Sequence, residues 1–92
     1  MQATDALDWI DRKIAEITFH PHLFTRQIDR NFDIDFVEET VRTGEIAEEK
    51  CEEPNKLCFK KYHGKEKRTY FVIAVIHNDF IEVKTTWLKQ GK

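Results

Sequence analysis

The sequence predicts an α+β fold in which three N-terminal helices precede a four-stranded antiparallel β-meander. Apolar residues recur at helical spacing as far as residue 44, and from residue 45 they alternate with polar residues, as in half-buried strands. Turn-forming residues divide the second half into four pieces. With 92 residues, 40% of them hydrophobic, the chain has the length and composition of one domain spanning 1–92.

The first two predicted helices lie on either side of a proline. Thr4 is a suitable N-cap, and it precedes apolar residues at helical spacing, namely Leu7, Ile10, Ile14 and Ile17. A second helix is expected from Pro21 to about Arg30, because proline is favoured in a first helical turn. The residue before a proline is held out of helical geometry, so residues 17–19 are predicted to form a short extended link.

A third helix is predicted between Asp33 and Gly44. Asp33 supplies an N-cap, and the apolar residues that follow share one helical face, namely Ile34, Val37 and Val41. Gly44 is expected to end the helix in the left-handed conformation that glycine adopts without strain.

Strands are predicted near 45–52, 56–62, 69–77 and 80–88, because Pro54-Asn55, Gly64 and Asn78-Asp79 mark turns between them. A two-residue loop at Asn78-Asp79 would fix the register of the last hairpin. The facing pairs on the helix-covered side would then be Ile76 with Ile81, Ala74 with Val83, Val72 with Thr85 and Tyr70 with Trp87.

The opposite side of the predicted sheet is partly apolar, since it would carry Phe71, Ile73 and Val75. A bare face of this kind would be an unusually large exposed apolar patch. The sequence therefore predicts that a second copy of the chain, or another protein, covers this side.

Composition limits the class of protein. No apolar run approaches the ~20 residues that a bilayer span needs, and the first residues lack the blocks of a signal peptide, so a cytoplasmic protein without a membrane partner is expected. Two cysteines, Cys51 and Cys58, are expected to be free thiols. Charge is divided along the chain, because residues 33–53 are acidic and residues 54–92 are basic. This division favours an anionic partner for the sheet half, although ordinary solvated surfaces also produce it.

A polar stripe on the second predicted helix is the most specific chemical pattern. His22, Arg26 and Arg30 are spaced four apart and therefore share one helical face. An imidazole can accept or deliver the proton of a ribose hydroxyl, and guanidinium groups can bind a phosphate through two hydrogen bonds. The stripe therefore indicates metal-free RNA cleavage, with ion pairing between the arginines and nearby acids as the structural alternative.

A zinc site is a different use of the same histidines. His20, His22, Cys51 and Cys58 are ligand types that zinc accepts, but the wide separation of the cysteines does not match the close spacing of structural zinc sites. No metal and no other cofactor is predicted.

Several segments resemble the domain-of-unknown-function family 4258, which is grouped with the RelE-like and BrnT-like toxins. The resemblance covers about residues 17–88 and is carried by Ile17-Thr18-Phe19-His20-Pro21-His22, Arg26, Arg30-Asn31-Phe32-Asp33, Gly44-Glu45-Ile46 and Val83-Lys84-Thr85-Thr86-Trp87. It implies a RelE-like fold and a metal-independent ribonuclease site carried over to His22, Arg26, Arg30 and Thr85.

The predicted register extends this site to the helix-covered face of the sheet. His22, Arg26 and Thr85 are the predicted catalytic residues. The predicted substrate-binding residues are Arg30, Lys61, Tyr70 and Trp87, the last two as rings on which an RNA base could stack. Tyr70 and Trp87 could equally be an ordinary cross-strand aromatic pair.

The predicted function is a toxin-type domain that cleaves or binds RNA. The alternative is a non-catalytic protein-interaction domain that uses either the apolar sheet face, as a homodimer or with an antitoxin-like partner, or the acidic stretch from Glu45 to Glu53. A third possibility is an antitoxin or immunity-like protein, which the acidic segment would suit.

Overall fold

The computed structural model of the protein describes residues 10–23, 32–51 and 55–91. Five strands form one mixed sheet: β1 (Glu16–Phe19), β2 (Glu45–Ile46), β3 (Lys56–His63), β4 (Arg68–Ile76) and β5 (Phe80–Gln90). Their order across the sheet is β1-β5-β4-β3-β2. Neighbouring strands from β2 to β5 are antiparallel, whereas β1 runs parallel to β5.

The predicted RelE-like fold, three N-terminal helices followed by a four-stranded antiparallel meander, is wrong. The helical elements of the described residues are short: α1 (Ile34–Thr43), a 3₁₀ helix at Glu48–Lys50, and a helical stretch at 21–23. The rest of the second predicted helix lies outside the described residues. An additional strand, β1, makes the sheet five-stranded and mixed, while β3, β4 and β5 lie close to their predicted positions.

Strand β1 occupies the region where the sequence predicts the end of the first helix and an extended link. Residues 12–14 form a turn, Ile14 is 81% exposed, and Ile17 lies in β1. Pairing with β5 packs Ile17 and Phe19 against the core. β-branched and aromatic residues fit a pleated sheet well, so tertiary pairing outweighs the helical spacing here. The remainder of that predicted helix, residues 1–9, lies outside the described residues.

Two arginines hold the turn before β1 against the end of α1. Nη1 of Arg42 donates to the backbone carbonyls of Arg12, Lys13 and Ala15 at 3.3, 3.1 and 3.0 Å. Nη1 of Arg12 donates in return to the carbonyl of Gly44 at 2.8 Å. Backbone carbonyls in a turn or just after a helix have no hydrogen-bond partner within their own element. Arg42 on α1 therefore supplies donors to the carbonyls of the turn, and Arg12 in the turn supplies one to the carbonyl that follows α1.

The third predicted helix is confirmed as α1, with Asp33 as its N-cap. Oδ1 of Asp33 accepts from the backbone N–H groups of Asp35 and Phe36, at 2.9 and 3.4 Å. Val37 and Val41 are fully buried where α1 packs on β3 and β4.

Gly44 ends α1 for a different reason from the predicted one. Its φ of −74° and ψ of 167° are extended, so the predicted left-handed conformation is wrong. A Cβ at this position would lie 2.5 Å from the carbonyl oxygen of Thr40 and 2.7 Å from that of Lys60. Glycine is therefore required by the close approach of two backbone segments.

Tyr70 joins the start of α1 to the β3–β4 turn. Its hydroxyl accepts from the backbone N–H of Asp33 at 2.9 Å and donates to Oε1 of Glu66 at 2.9 Å. Burial is the main cause that raises the pKa of Tyr70 above 10.0, so the hydroxyl keeps its proton. Burial also acts to raise the pKa of Glu66, but hydrogen bonds from Arg68 and Tyr70 and nearby positive charge outweigh it and lower this pKa below 4.5.

The strand predicted at 45–52 is replaced by β2 and the 3₁₀ helix. β2 pairs with β3 through Glu45 and Ile46. The chain then packs on Cys58, whose carbonyl accepts from Ala47 N–H at 2.8 Å and whose N–H donates to Sγ of Cys51 at 3.3 Å. Residues 48–50 are two glutamates and a lysine, which favour helical over strand geometry.

Both cysteines are free thiols.

A β-bulge in β5 decides which of its side chains face α1. The predicted register holds where Ile76 pairs with Ile81 and Ala74 with Val83, and then it shifts. Lys84 is the extra residue, and the pairs beyond it are Ile73 with Thr85, Val72 with Thr86, Phe71 with Trp87 and Tyr70 with Leu88. The predicted pairs of Val72 with Thr85 and of Tyr70 with Trp87 are therefore wrong.

The sheet has an inner face, which packs against α1, and an outer face. The inner face is fully buried at Leu57, Phe59, Tyr70, Val72, Ala74, Ile76, Ile81 and Val83. The outer face carries Phe71, Ile73, Val75, Thr85 and Trp87, all half-buried. Among the described residues, Ile14 is the only exposed large hydrophobic side chain. The apolar patch that the sequence predicts on the outer face is thus already partly covered.

None of the helices in the described parts of the chain has the length and apolar character needed to cross a membrane.

Candidate functional site

A shallow depression of about 260 Å³ lies where the chain leaves β1. His20, His22, Lys84 and Thr85 line it, two from the segment after β1 and two from the bulged part of β5. The depression therefore depends on the parallel pairing of β1 with β5.

Backbone hydrogen bonds fix the two histidines. The N–H of His20 donates to the carbonyl of Val83 at 2.9 Å, which extends the contact between β1 and β5 by one residue. The carbonyl of His20 accepts from the N–H of Leu23 at 2.9 Å and so closes the turn that begins at Pro21. Leu23 is fully buried and anchors this turn, whereas His22 is exposed.

The two imidazole rings are neighbours, with centroids 5.0 Å apart and planes at 40°. The backbone N–H of His22 donates to Nδ1 of His20 at 3.2 Å. Because Nδ1 accepts this hydrogen bond, Nε2 is the ring nitrogen of His20 that is left to act as a donor. His20 can thus donate a hydrogen bond through Nε2, and the exposed imidazole of His22 is open to a molecule that enters the depression.

Lys84 and the acid beside it set the charge of the depression. Nζ of Lys84 lies 3.4 Å from Oε1 of Glu82, which lies 3.2 Å from Nε2 of His77. The hydrogen bond from His77 is the main cause that lowers the pKa of Glu82, and the charge of Lys84 adds to it. The Lys84 side chain is 40% exposed, so its ammonium can also interact with an anion that enters the depression.

The predicted site residues fall into three groups. His22 and Thr85 line the same depression, although Thr85 reaches it from the outer face and was expected on the inner face. Arg26 and Arg30 lie outside the described residues. Lys61, Tyr70 and Trp87 lie elsewhere in the fold.

Each residue of this last group has its own contacts. Nζ of Lys61 lies 2.6 Å from Oγ1 of Thr43 and 3.2 Å from Oε2 of Glu39, at the end of α1. Tyr70 is fully buried with its hydroxyl engaged, so its ring is closed to stacking with a base. The Trp87 ring stacks on Phe71 on the outer face, with centroids 5.1 Å apart.

His20 and Lys84 were not among the predicted site residues. The pattern His20-Pro21-His22 contributes to the family resemblance, but the sequence suggests no role for His20 other than that of a zinc ligand. Lys84 enters the depression through the bulge, which alternation of residue types does not reveal. Within 10–23, 32–51 and 55–91, no group of three or more His, Cys, Asp or Glu is placed to hold a metal ion.

No family model, no curated protein and no solved structure matches this chain. The resemblance to the toxin-type family stays a prediction.

Proposed function

We propose that the protein is a metal-independent endoribonuclease of the toxin type, which cleaves RNA in the depression between His20, His22, Lys84 and Thr85. The observation that supports this proposal is the meeting of two imidazoles with an ammonium and a hydroxyl in one accessible place. These groups can move protons and stabilise phosphate charge, which are the two requirements of RNA cleavage by an internal ribose hydroxyl.

In the proposed reaction the 2′-oxygen of a ribose attacks the adjacent phosphorus. His22 accepts the proton of the 2′-hydroxyl, the bond from phosphorus to the 5′-oxygen breaks, and a proton returned by the imidazolium or by water completes the leaving hydroxyl. The products are a 2′,3′-cyclic phosphate and a 5′-hydroxyl. Lys84 and His20, which line the depression, bind the non-bridging oxygens, whose negative charge grows in the transition state.

Arg26 is included in the proposal as a phosphate ligand, because it lies four residues after His22 in the sequence. The resemblance to the toxin-type family supports the same assignment.

The test is cleavage of a mixed-sequence single-stranded RNA by purified protein in EDTA. Cleavage should leave cyclic-phosphate ends, and His22→Ala should reduce the rate by at least 10²-fold, since general acid–base catalysis contributes typically 10²–10⁴-fold. Lys84→Ala should slow cleavage, whereas Lys65→Ala, which removes the same charge from the exposed β3–β4 turn, should not.

Two results would contradict the proposal. One is unchanged cleavage by folded His22→Ala, which would point to a contaminating nuclease. The other is no cleavage of free RNA or of ribosome-bound message, where a control ribonuclease cuts both.

The alternative, a protein-interaction domain, is predicted from a bare apolar sheet face and from the acidic stretch between Glu45 and Glu53. The half-burial of Phe71, Ile73 and Val75 weakens the need for a partner there. A stable dimer in light scattering at micromolar concentration would favour this alternative.

A further inference from the structure

A second concave surface lies on the outer face of the sheet, toward the ends of β3 and β5. This basic groove encloses about 520 Å³, and its lining includes Lys60, Tyr62, Phe71, Lys89 and Glu45. Lys60 and Lys89 form no salt bridge with a carboxylate of the described residues. The groove therefore offers positive charge beside aromatic rings.

Strand β5 connects the basic groove to the histidine depression. After the bulge, Thr85, Trp87 and Lys89 alternate onto the outer face, with Thr85 in the depression and Lys89 in the groove. Side chains two apart in a strand are separated by ~6.6 Å, so Thr85 and Lys89 are ~13 Å apart along β5. A single chain of RNA bound in the depression can cross that distance.

The surface between the two sites is aromatic. Trp87 and Phe71 face each other across β4 and β5, and their rings are parallel to within 2°. Flat aromatic surfaces on a sheet bind unpaired bases by stacking, with little dependence on sequence. Bases in a double helix are stacked on each other and cannot make this contact.

We propose that the outer face, from Thr85 through Trp87 to the groove at Lys60 and Lys89, binds the single-stranded RNA that flanks the cleaved phosphate. This inference rests on the proposed function and names its substrate class. Phosphates bind Lys60 and Lys89, and a base stacks at Trp87. The enzyme therefore prefers unpaired RNA that extends beyond the cleaved bond.

The test measures binding separately from cleavage. A fluorescent 12-nucleotide RNA with 2′-O-methyl groups has no attacking hydroxyl, so its anisotropy reports binding alone. Trp87→Leu should weaken binding about 5- to 160-fold, as loss of one stacked base does. Lys60→Ala and Lys89→Ala should each weaken binding and lower the slope of log K against log salt by roughly 0.7.

Controls separate this surface from the catalytic site. Lys65→Ala should bind like the parent protein, because Lys65 lies in the β3–β4 turn outside the groove. The lysine variants keep the test valid if Trp87→Leu does not fold. A duplex of the same length should bind at least tenfold more weakly.

Binding and cleavage can fail separately. Loss of binding in the lysine variants, in a protein that cuts no RNA, would support the outer face and refute the cleavage proposal. Cleavage with binding unchanged in folded Trp87→Leu, Lys60→Ala and Lys89→Ala would overturn the outer-face proposal alone. Equal affinity for duplex and single strand would also overturn it.

Discussion

Replacing Tyr70 by phenylalanine tests how the start of α1 is attached to the sheet. The substitution keeps the buried ring and removes a hydroxyl that bonds both Asp33 N–H and the Glu66 carboxylate. A neutral hydrogen bond contributes about 0.5–1.5 kcal/mol and one to a charged group about 1.5–3 kcal/mol. Glu66 is 30% exposed, so water can replace part of its lost bond.

The expected loss is therefore about 2 kcal/mol in the free energy of unfolding. For a domain of this length that corresponds to a fall of ~8–16 °C in Tm. The assay is thermal and urea unfolding at pH 7, followed by far-UV circular dichroism. A loss below ~0.5 kcal/mol would refute the reasoning, because it would mean that neither hydrogen bond contributes measurably.

A double-mutant cycle with Glu66→Gln separates the two bonds. The Tyr70 hydroxyl and the Glu66 carboxylate should show a coupling free energy of about 1 kcal/mol at pH 7. Additive losses within ~0.3 kcal/mol would show that Tyr70 acts through Asp33 alone.

Three further predictions concern residues elsewhere in the fold. Gly44→Ala should lower the free energy of unfolding by roughly 2–4 kcal/mol in urea, because the added Cβ meets two backbone carbonyls. Gly64→Ala is the control: its Cβ meets only a ring atom at 3.8 Å, so stability should change by less than ~0.5 kcal/mol. Equal losses in the two variants would contradict this prediction. A thiol reagent at pH 8 should label Cys51 at least tenfold faster than Cys58, because burial raises the pKa of the Cys58 thiol to about 11. Similar labelling rates for the two cysteines in the folded protein would disprove this prediction. The pKa of Glu66 is lowered in the folded protein, so its carboxylate stabilises the fold above pH 4.5, and this contribution is lost as the pH falls through the pKa of the folded state. Lowering the pH should therefore reduce the free energy of unfolding of the parent protein more than that of Glu66→Gln. Parallel curves of unfolding free energy against pH for the two proteins would refute this.

Local patterns predict the parts of this fold that local chemistry determines. Asp33 caps α1 because its side chain bonds the next backbone N–H groups, and that signal lies within a few residues. The hairpin at Asn78-Asp79 is likewise predicted by its own turn residues, as the pairing of Ile76 with Ile81 shows.

The wrong predictions, those for β1 and for the register of β5, concern features that depend on residues far away in the sequence. The sequence around Ile17 satisfies a helical period, and nothing nearby reveals that β5 offers a parallel partner. The bulge at Lys84 has no glycine to mark it, and Thr85 and Thr86 suit either face of a sheet.

The candidate site likewise combines a feature of the local sequence with features that depend on distant residues. His22 is predicted from its spacing and residue type, because a polar stripe is a local pattern, and its role stays a prediction. The association of His22 with Lys84 required two facts outside that pattern, the parallel strand and the shifted register.

The pairing of β1 with β5 also sets when the histidine depression can form. During synthesis, residues 16–22 leave the ribosome early, while residues 80–85 leave it much later. A chain that lacks β5 also lacks the strand that brings Lys84 and Thr85 to the two histidines. Any chemistry that needs all four side chains therefore has to wait until β5 has been synthesised and has paired with β1.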